Sequence, residues 1–475
     1  FSLEKRKEQE RDIDRCLIFS TIENCFSPTT DKMKEDKHKV VVVGASFGGQ
    51  GFVHGLLLPE DGEVSHTASE QHFSVNLLDC RESFYLGAAL QYVWTNRVSN
   101  KDEVSYAMSK MRSNTLPGVE FRKGDKGTVN AINVENKSVT LKDGSVLDYD
   151  SLILAPGVIP NPQIVPGLAE SGAIDVCAWD QVDRFNSEIK ALISLASVSS
   201  KPIHVVMSIT RTPYTCPPLP FEVISLIDNE LRSAGVRSSC HLFITVPQGF
   251  PFGGPPAEKK FCDQLKEMDI EYLDHHKIIS VERKEGKGEN DSLTSSSILK
   301  YQVKDEETSI VADAFFCTFP QRPPDFVQDS GLANKMGFIT VDLQTNKAEG
   351  VEDIYVVGDC CSTIFPSVGK PHPKAGQFAY DMGLAVGKLI KSKVVSPEST
   401  PLLPTSRKGI CAAECGLGGK GLIVKPNFSE CIQNPKEGKP QFALEPTPDA
   451  SQRKVKWMNG FLETFFGEGN FKPMI

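Results

Sequence analysis

The sequence lacks the marks of three protein classes. No run of about 20 apolar residues occurs in the 475-residue chain, so no membrane-spanning helix is predicted. Basic side chains are not in excess: 52 lysines and arginines stand against 61 acidic residues, and the net charge is −9. Because nucleic-acid binding favours a basic surface, we expect no nucleic-acid partner. The 13 cysteines include no Cys-x-x-Cys pair, so we expect no metal site and no secreted disulfide scaffold.

The length and the order of patterns predict several units in the chain. It begins with Phe rather than Met, so we expect a processed or partial chain whose targeting peptide is out of view. The charged residues 1–37 predict an N-terminal extension. The remaining predicted units are a first α/β domain in two parts, 38–160 and 326–395; a second α/β domain, 161–325; and a C-terminal segment, 396–475, with an amphipathic helix.

A buried strand and a glycine-rich turn open the first domain. The strand Lys39–Val43 runs into a turn with Gly44, Ser46, Gly48 and Gly49. A strand that turns tightly into a helix places backbone N–H groups and the positive helix end against a pyrophosphate. Ser46 stands where the usual pattern has its middle glycine, and it is small enough for a phosphate to approach. The alternative is a purely structural strand–helix turn.

An acidic residue follows the next predicted strand. Asp79 comes directly after Phe73–Leu78 and is the candidate for the ribose hydroxyls of an adenosine group. Its distance from the glycine turn exceeds the usual ~20 residues. The polar stretch Pro59–Gln71 is therefore predicted to be an inserted loop.

Two later strands end in small residues that suit a flavin dinucleotide. Their backbones approach a cofactor closely, and an Asp side chain accepts hydrogen bonds from ribityl hydroxyls. Together with the glycine turn, these patterns predict an FAD site. The cofactor-binding candidates at the two strand ends are Ala155, Pro156 and Gly157 after Tyr149–Leu154, and Gly358 and Asp359 after Ile354–Val357.

Lys374 precedes a predicted helix from about residue 375 to 390. We expect the positive helix end and the Lys374 ammonium to face the pyrimidine edge of the flavin ring. This arrangement favours the anionic reduced flavin. The alternative is a solvated surface lysine.

Cys216 takes the place of a second glycine turn. The strand Lys201–Ile209 and the helix Phe221–Leu231 frame it, where a two-nucleotide flavin reductase carries its NAD(P)H loop. Prolines flank the cysteine, and no acidic residue follows near Val246. A cysteine in place of the NAD(P)H-binding glycines predicts that the flavin receives its electrons from sulfur chemistry rather than from a nicotinamide. A helix N-terminus favours a nearby thiolate, and Glu222 is a candidate proton relay or a simple first-turn acid.

In this order and spacing the motifs resemble the disulfide-reductase-like flavoproteins. The Cys216 stretch is similar to that of sulfide:quinone oxidoreductases and of the flavoprotein subunit of flavocytochrome c sulfide dehydrogenase. The likeness covers roughly residues 39–470. It implies an α/β fold with two Rossmann-like FAD/NAD(P)-binding-type domains and a C-terminal capping segment. It also implies sulfide as substrate, a redox cysteine pair beside FAD, and a quinone or cytochrome acceptor.

The resemblance assigns the cysteines position by position. Cys216 matches the first redox cysteine; Cys411 matches the second, with Cys415 as the fallback; Cys177 matches a third cysteine found in some quinone reductases. For each, the alternative is a small buried apolar side chain. The dehydrogenase subunit attaches its flavin through a cysteine in a segment that here, at residues 83–90, contains none. We therefore expect non-covalent FAD.

The tail Lys454–Phe466 has apolar residues at helical spacing. It predicts a helix that lies in a membrane interface, or that packs on its own domain or on a dimer partner. The resemblance implies a mitochondrial, membrane-associated location and leaves a homo-oligomer or larger complex open. Two other functions also stay open: an NAD(P)H:quinone-type reductase, and a non-catalytic flavoprotein-like subunit of a larger complex.

Overall fold

A computed structural model describes residues 37–58, 71–249, 254–284, 296–398 and 407–474. The predicted N-terminal extension and the predicted inserted loop lie almost entirely outside these residues. Within them, no helix combines the length and apolarity that crossing a membrane requires.

The described elements alternate between strands and helices along most of the chain. The longer helices are α1 (Phe47–Leu57), α2 (Val182–Val198), α3 (Leu219–Ser233), α4 (Gly254–Glu267), α5 (Gly376–Val395) and α6 (Ala450–Phe466). The strands of the larger sheets are β1 (His38–Val43), β2 (Phe73–Asp79), β3 (Val119–Lys123), β4 (Val129–Asn133), β5 (Ser138–Leu141), β6 (Val146–Asp148), β7 (Ser151–Leu154), β8 (Ile174–Asp175), β9 (Ile203–Ile209), β10 (Cys240–Thr245), β11 (Ile270–Leu273), β12 (Lys277–Arg283), β13 (Ser297–Val303), β14 (Glu306–Ala312), β15 (Ala314–Thr318), β16 (Ile354–Val356), β17 (Cys411–Ala413), β18 (Gly421–Asn427) and β19 (Gln441–Thr447).

Two parallel five-stranded sheets form the frame of the molecule. The first has the order β16-β7-β1-β2-β3, and the second has the order β8-β15-β9-β10-β11. Every neighbouring pair in both sheets is parallel. Strands of parallel sheets are buried on both faces, which explains why β1 reads as an unbroken valine run. The predicted fold of two Rossmann-like α/β units is confirmed.

Three antiparallel sheets of three strands each accompany the parallel sheets. They consist of β4-β6, β12-β14 and β17-β19. The last of these sheets and α6 form the C-terminal segment. The predicted domain boundaries are compatible with this division and remain predictions.

Helices α1 and α5 contact each other backbone to backbone. A Cβ atom on Gly51 would overlap the carbonyl oxygen of Tyr380, and one on Gly55 would overlap that of Leu384. On the opposite helix, a Cβ atom on Gly383 would overlap the Gly48 carbonyl oxygen. Glycines on both helices therefore let the two helix backbones lie closer together than alanine would allow.

Helix α6 exists as predicted and begins four residues earlier, at Ala450. Met458, Leu462 and Phe465 on its apolar face are fully buried. They belong to a core shared with the second sheet and with residues of the first domain. The structure thus shows these side chains packed on the chain's own domain, which was the alternative to a membrane contact.

Candidate functional site

The predicted glycine turn joins β1 to α1 at the carboxyl edge of the first sheet. Gly44 has φ = 100°, which strongly favours glycine, and a Cβ atom there would overlap the carbonyl oxygen of Ala155. Ser46 is the N-cap residue of α1, and its side chain makes no capping hydrogen bond. The first amides of a helix have no acceptor within the helix. The turn therefore offers N–H groups and room to a phosphate.

Asp79 lies beside this turn. Its buried carboxylate accepts hydrogen bonds from the Ala45 amide (3.0 Å) and from the Arg81 amide (2.9 Å), and Arg81 also pairs with it through Nε at 3.0 Å. Asp79 therefore supports the glycine turn directly. Its contact with a ribose remains a prediction.

The other predicted cofactor residues converge on the same edge. Strand β7 lies between β1 and β16 in the sheet, so Ala155–Gly157 and Gly358–Asp359 follow strand ends that lie side by side. Gly157 has φ = 70° and would place a Cβ atom in open space. Ligands of open parallel sheets bind outside the carboxyl ends of the strands. The donor and acceptor set fits FAD.

Lys374 is buried rather than solvated. Its ammonium donates to the carbonyl oxygens of Asp359 and Cys361, the latter at 3.2 Å, and lies 4.5 Å from the centre of the Phe338 ring. Together with the start of α5, it lines a cavity that also borders Gly358. A buried cation and a helix N-terminus therefore share this end of the cofactor site.

Cys216 lies in a strained turn between β9 and α3. Its φ is 58°, in the left-handed region that non-glycine residues seldom adopt, and its amide donates to the Lys374 carbonyl oxygen at 2.8 Å. The preceding Thr215 hydroxyl donates to the Asp359 carboxylate at 2.5 Å. The cysteine turn is thus bonded directly to both flavin-site segments, a link that no sequence pattern revealed.

The structure brings Cys411, not Cys415, against Cys216. Contact with the Cys216 thiol is the largest factor raising the pKa of Cys411 well above its ordinary value, followed by burial. The Cys415 thiol instead donates to Gln264 Oε1 at 3.0 Å. All three cysteines are free thiols. Cys411 is therefore the partner that the geometry favours.

Cys177 lies behind the same turn. Its thiol is 3.9 Å from the Thr215 carbonyl oxygen, and its amide donates to Asp175 Oδ1 at 3.0 Å. Burial and the Asp175 charge raise the pKa of this thiol well above its usual range. The predicted third cysteine thus adjoins the turn that carries Cys216.

Glu222 is buried in an ionic cluster that the sequence did not reveal. Its Oε1 accepts from the Glu414 amide at 2.7 Å, from Gln91 Nε2 at 3.2 Å and from the Lys454 ammonium. Burial raises the pKa of Glu222, and the Glu414 charge acts in the same direction, while Lys454 opposes the shift. Glu222 therefore binds a proton more readily than an exposed glutamate. Its partners are 131 to 232 residues away in the chain, which is beyond any local motif.

Comparison with known proteins agrees with this geometry. The chain is 23% identical over 276 residues to the mitochondrial sulfide:quinone oxidoreductase of Mus musculus, covering 57% of each protein. It thus spans just over half the length of that relative. It is also 23% identical over 393 residues to a type II NADH:quinone oxidoreductase of Staphylococcus saprophyticus, covering 81% of this chain and 90% of the relative.

A solved structure and a family model extend the comparison. The structure of a sulfide:quinone oxidoreductase from Aquifex aeolicus superimposes with a TM-score of 0.69 at 18% identity, covering 92% of this chain and 93% of the other. Residues 38–383 match the model of the pyridine nucleotide-disulphide oxidoreductases. The match spans both parallel sheets and both strand–turn–helix units, and the chain therefore belongs to the pyridine nucleotide-disulphide oxidoreductase family.

Proposed function

We propose that this protein is an FAD-dependent oxidoreductase that oxidises sulfide through Cys216 and Cys411 and delivers the electrons to a quinone. The observation that carries the proposal is the thiol contact between Cys216 and Cys411 beside the flavin-site segments. The mouse and Aquifex proteins described above support the substrate and the acceptor. FAD is the cofactor expected of the family, and the residues at the first sheet fit it.

The cysteine pair supplies a balanced reaction with sulfide. Hydrosulfide attacks a Cys216–Cys411 disulfide; the bond between the two cysteine sulfurs breaks, and a new sulfur–sulfur bond forms on one cysteine. The other sulfur leaves as a thiolate. The substrate sulfur is thereby oxidised to the persulfide level, and the leaving cysteine is reduced. When bound, FAD supplies the two-electron chemistry that carries these electrons onward.

The neighbouring side chains have defined tasks in this proposal. Glu222 is paired with Lys454 as a carboxylate, and because burial raises its pKa it takes up the proton released from hydrogen sulfide. Lys374 and the start of α5 place positive charge at the end of the cofactor site where negative charge develops. Cys177 is proposed as a third cysteine that accepts the outer sulfur of the persulfide: its thiolate attacks that sulfur, the sulfur–sulfur bond on the first cysteine breaks, and that cysteine leaves as a thiolate.

Location and acceptor are proposed from the relatives. The mouse relative is mitochondrial, and we propose the same compartment here. A quinone acceptor implies work near a membrane, and a cytochrome stays the second option for the acceptor. Any membrane contact of α6 would involve residues other than Met458, Leu462 and Phe465, because these are buried.

An NADH:quinone reductase is the second candidate, favoured by the likeness to the Staphylococcus protein. The β9–α3 turn opposes it. Pro217, Pro218 and Pro220 have no backbone N–H to offer a pyrophosphate, and Pro218 and Pro220 stand at the start of α3. We therefore rank this candidate second.

The deciding experiment is anaerobic flavin reduction by sulfide, followed by absorbance. Cys216→Ser and Cys411→Ser should each slow it by roughly 1000-fold or more, because each removes one half of the redox pair. Cys415→Ser is the matched control, since its thiol bonds elsewhere, and should stay within a few-fold of wild type. Normal reduction in both of the first two variants would refute the mechanism. Purified protein without FAD would instead favour a non-catalytic subunit.

A further inference from the structure

A buried ionic cluster connects the C-terminal helix to the cysteine pair. Lys454 lies in the first turns of α6, and its ammonium contacts Glu222 and lies 3.9 Å from Glu414. Glu414 is paired with Arg97 at 2.7 Å and accepts a hydrogen bond from the Tyr92 hydroxyl at 3.0 Å. These five residues are called the ion cluster below.

The charges of the ion cluster balance only when Lys454 is present. Glu222 and Glu414 are 4% and 1% exposed, and both accept from the same Gln91 amide group at 3.2 Å. Two buried carboxylates this close repel each other unless cations offset them. Lys454, at 5% exposure, is the cation that contacts both. Removing one member of such a buried group leaves an uncompensated charge, which is strongly unfavourable.

The ion cluster is also a tether between the two cysteine segments. Glu222 belongs to α3, the helix that follows Cys216, and Glu414 lies three residues after Cys411. The Glu414 amide donates to Glu222 Oε1 at 2.7 Å. The carboxylate that Lys454 holds is therefore the atom group that fastens the Cys411 strand to the Cys216 helix.

We propose that Lys454 is a positioning residue for the redox cysteines. It holds Glu222 in the place that aligns the two cysteine segments, and it sets positive charge against the thiolate that forms at Cys411. This inference rests on the proposed function, and it assigns to the C-terminal helix a part in cysteine reactivity. Lys454 gives up no atom and accepts no electron in the reaction.

The electrostatics of Cys411 support this role. The Cys411 thiol contacts Cys216 on the turn, and the charges of Glu222 on α3 and Lys454 on α6 also act on it. Cys216, burial and Glu222 all raise the pKa of Cys411, and Lys454 is the group that lowers it. Lys454 also opposes the upward pKa shift of Cys415. Without its charge, the remaining neighbours of Cys411 all disfavour a thiolate.

Thiol labelling tests the proposal without relying on turnover. In reduced protein, the rate at which iodoacetamide labels Cys411 is measured by peptide mass spectrometry from neutral to alkaline pH. Lys454→Met should slow labelling at neutral pH about tenfold and move the midpoint to higher pH, since one pKa unit changes the thiolate fraction tenfold. Lys456→Met, an exposed lysine on the same helix, is the matched control and should keep the wild-type profile.

A double variant separates charge from packing. Lys454→Met with Glu222→Gln removes one cation and one carboxylate together, so it should fold and label with a profile between wild type and Lys454→Met. A wild-type labelling profile in Lys454→Met would overturn the proposal. So would a double variant as poorly folded as the single one, because packing rather than charge would then explain Lys454. A wild-type protein that ignores sulfide would refute the proposed function alone, since labelling needs no sulfide.

Discussion

The two parallel sheets repeat one architecture with opposite chemistry at the same place. In each, the third strand in the order, β1 or β9, leads through a turn into a helix. The first turn has Gly44 at φ = 100°, and the second has Cys216 at φ = 58°. The first leaves helix amides open for a phosphate, whereas prolines remove them from the second.

This difference shows how a nucleotide site becomes a thiol site without a change of frame. The second turn is occupied by its own contacts: the Cys216 amide donates to Lys374, and the Thr215 hydroxyl donates to Asp359. Both partners belong to the predicted flavin site of the first sheet. In the second unit, the turn that would hold a nucleotide is instead hydrogen-bonded to residues of the first unit.

Disrupting the first turn should have the broadest effect, because loss of the cofactor would abolish every later step. Gly44→Val introduces a side chain that overlaps the Ala155 carbonyl oxygen and cannot easily adopt the required φ. We expect FAD content of the purified protein to fall at least about tenfold, which corresponds to 1.4 kcal/mol of binding. Gly460→Ala, where the added Cβ atom meets open space on α6, is the control. Full FAD occupancy in Gly44→Val would contradict the assignment of this turn.

The second turn should discriminate between reductants. Stopped-flow reduction of bound FAD should be at least about 100-fold faster with sulfide than with NADH, because a turn without free amides holds a pyrophosphate poorly. The comparison uses both reductants at equal concentration under anaerobic conditions. Faster reduction by NADH would move the second candidate function to first place.

The buried carboxyl group of Asp175, which accepts a hydrogen bond from the Cys177 amide, should make the stability of the fold depend on pH. Burial raises the pKa of Asp175 to about 6. The proton it binds stabilises the fold below the ordinary value of about 4, and this stabilisation is lost as pH rises through about 6. The free energy of unfolding of wild type, relative to Asp175→Asn, should therefore fall from pH 5 to pH 8 by about 1.4 kcal/mol, since about one pH unit of this range lies below the folded pKa. Chemical denaturation of both proteins at the two pH values measures it; an unchanged difference would refute the assignment.

The connection between the two units should have the smallest effect. Thr215→Val removes the hydroxyl that bonds to Asp359 and should slow sulfide-dependent reduction roughly fivefold, the worth of about 1 kcal/mol. Thr308→Val on an exposed strand is the matched control. A Thr215 variant as fast as the control would mean that the hydroxyl does not align the turn.

Many of the strands and helices were predictable because the local sequence patterns agree with the structure that forms. The valine run of β1, the helix after Gly48 and the strand before Cys216 all form within a few residues of the predicted bounds. Helix α3 is longer than predicted at both ends: it begins two residues before Phe221 and ends two residues after Leu231, at Ser233. Helix ends depend on tertiary contacts that local patterns do not contain.

The cysteine partner and the ion cluster were beyond sequence reasoning. Cys411 and Cys415 are only four residues apart, so no sequence pattern could separate them; in the structure Cys411 contacts Cys216 while Cys415 meets Gln264. Lys454 appeared to be the polar start of an amphipathic helix. Its burial against Glu222 depends on a contact across 232 residues.

The glycine contacts between α1 and α5 have a consequence for how the protein tolerates change. One helix starts at the glycine turn predicted to bind phosphate, and the other starts beside Lys374, so their starting points are predicted to hold opposite ends of one cofactor. Their spacing is fixed by Gly51, Gly55 and Gly383, none of which is among the assigned cofactor residues. A single methyl group added at one of these glycines would push the two helices apart. The two ends of the binding cleft would then no longer be separated by the length of the dinucleotide. The distance that the cofactor must span is thus encoded along the helices rather than at the loops that hold it.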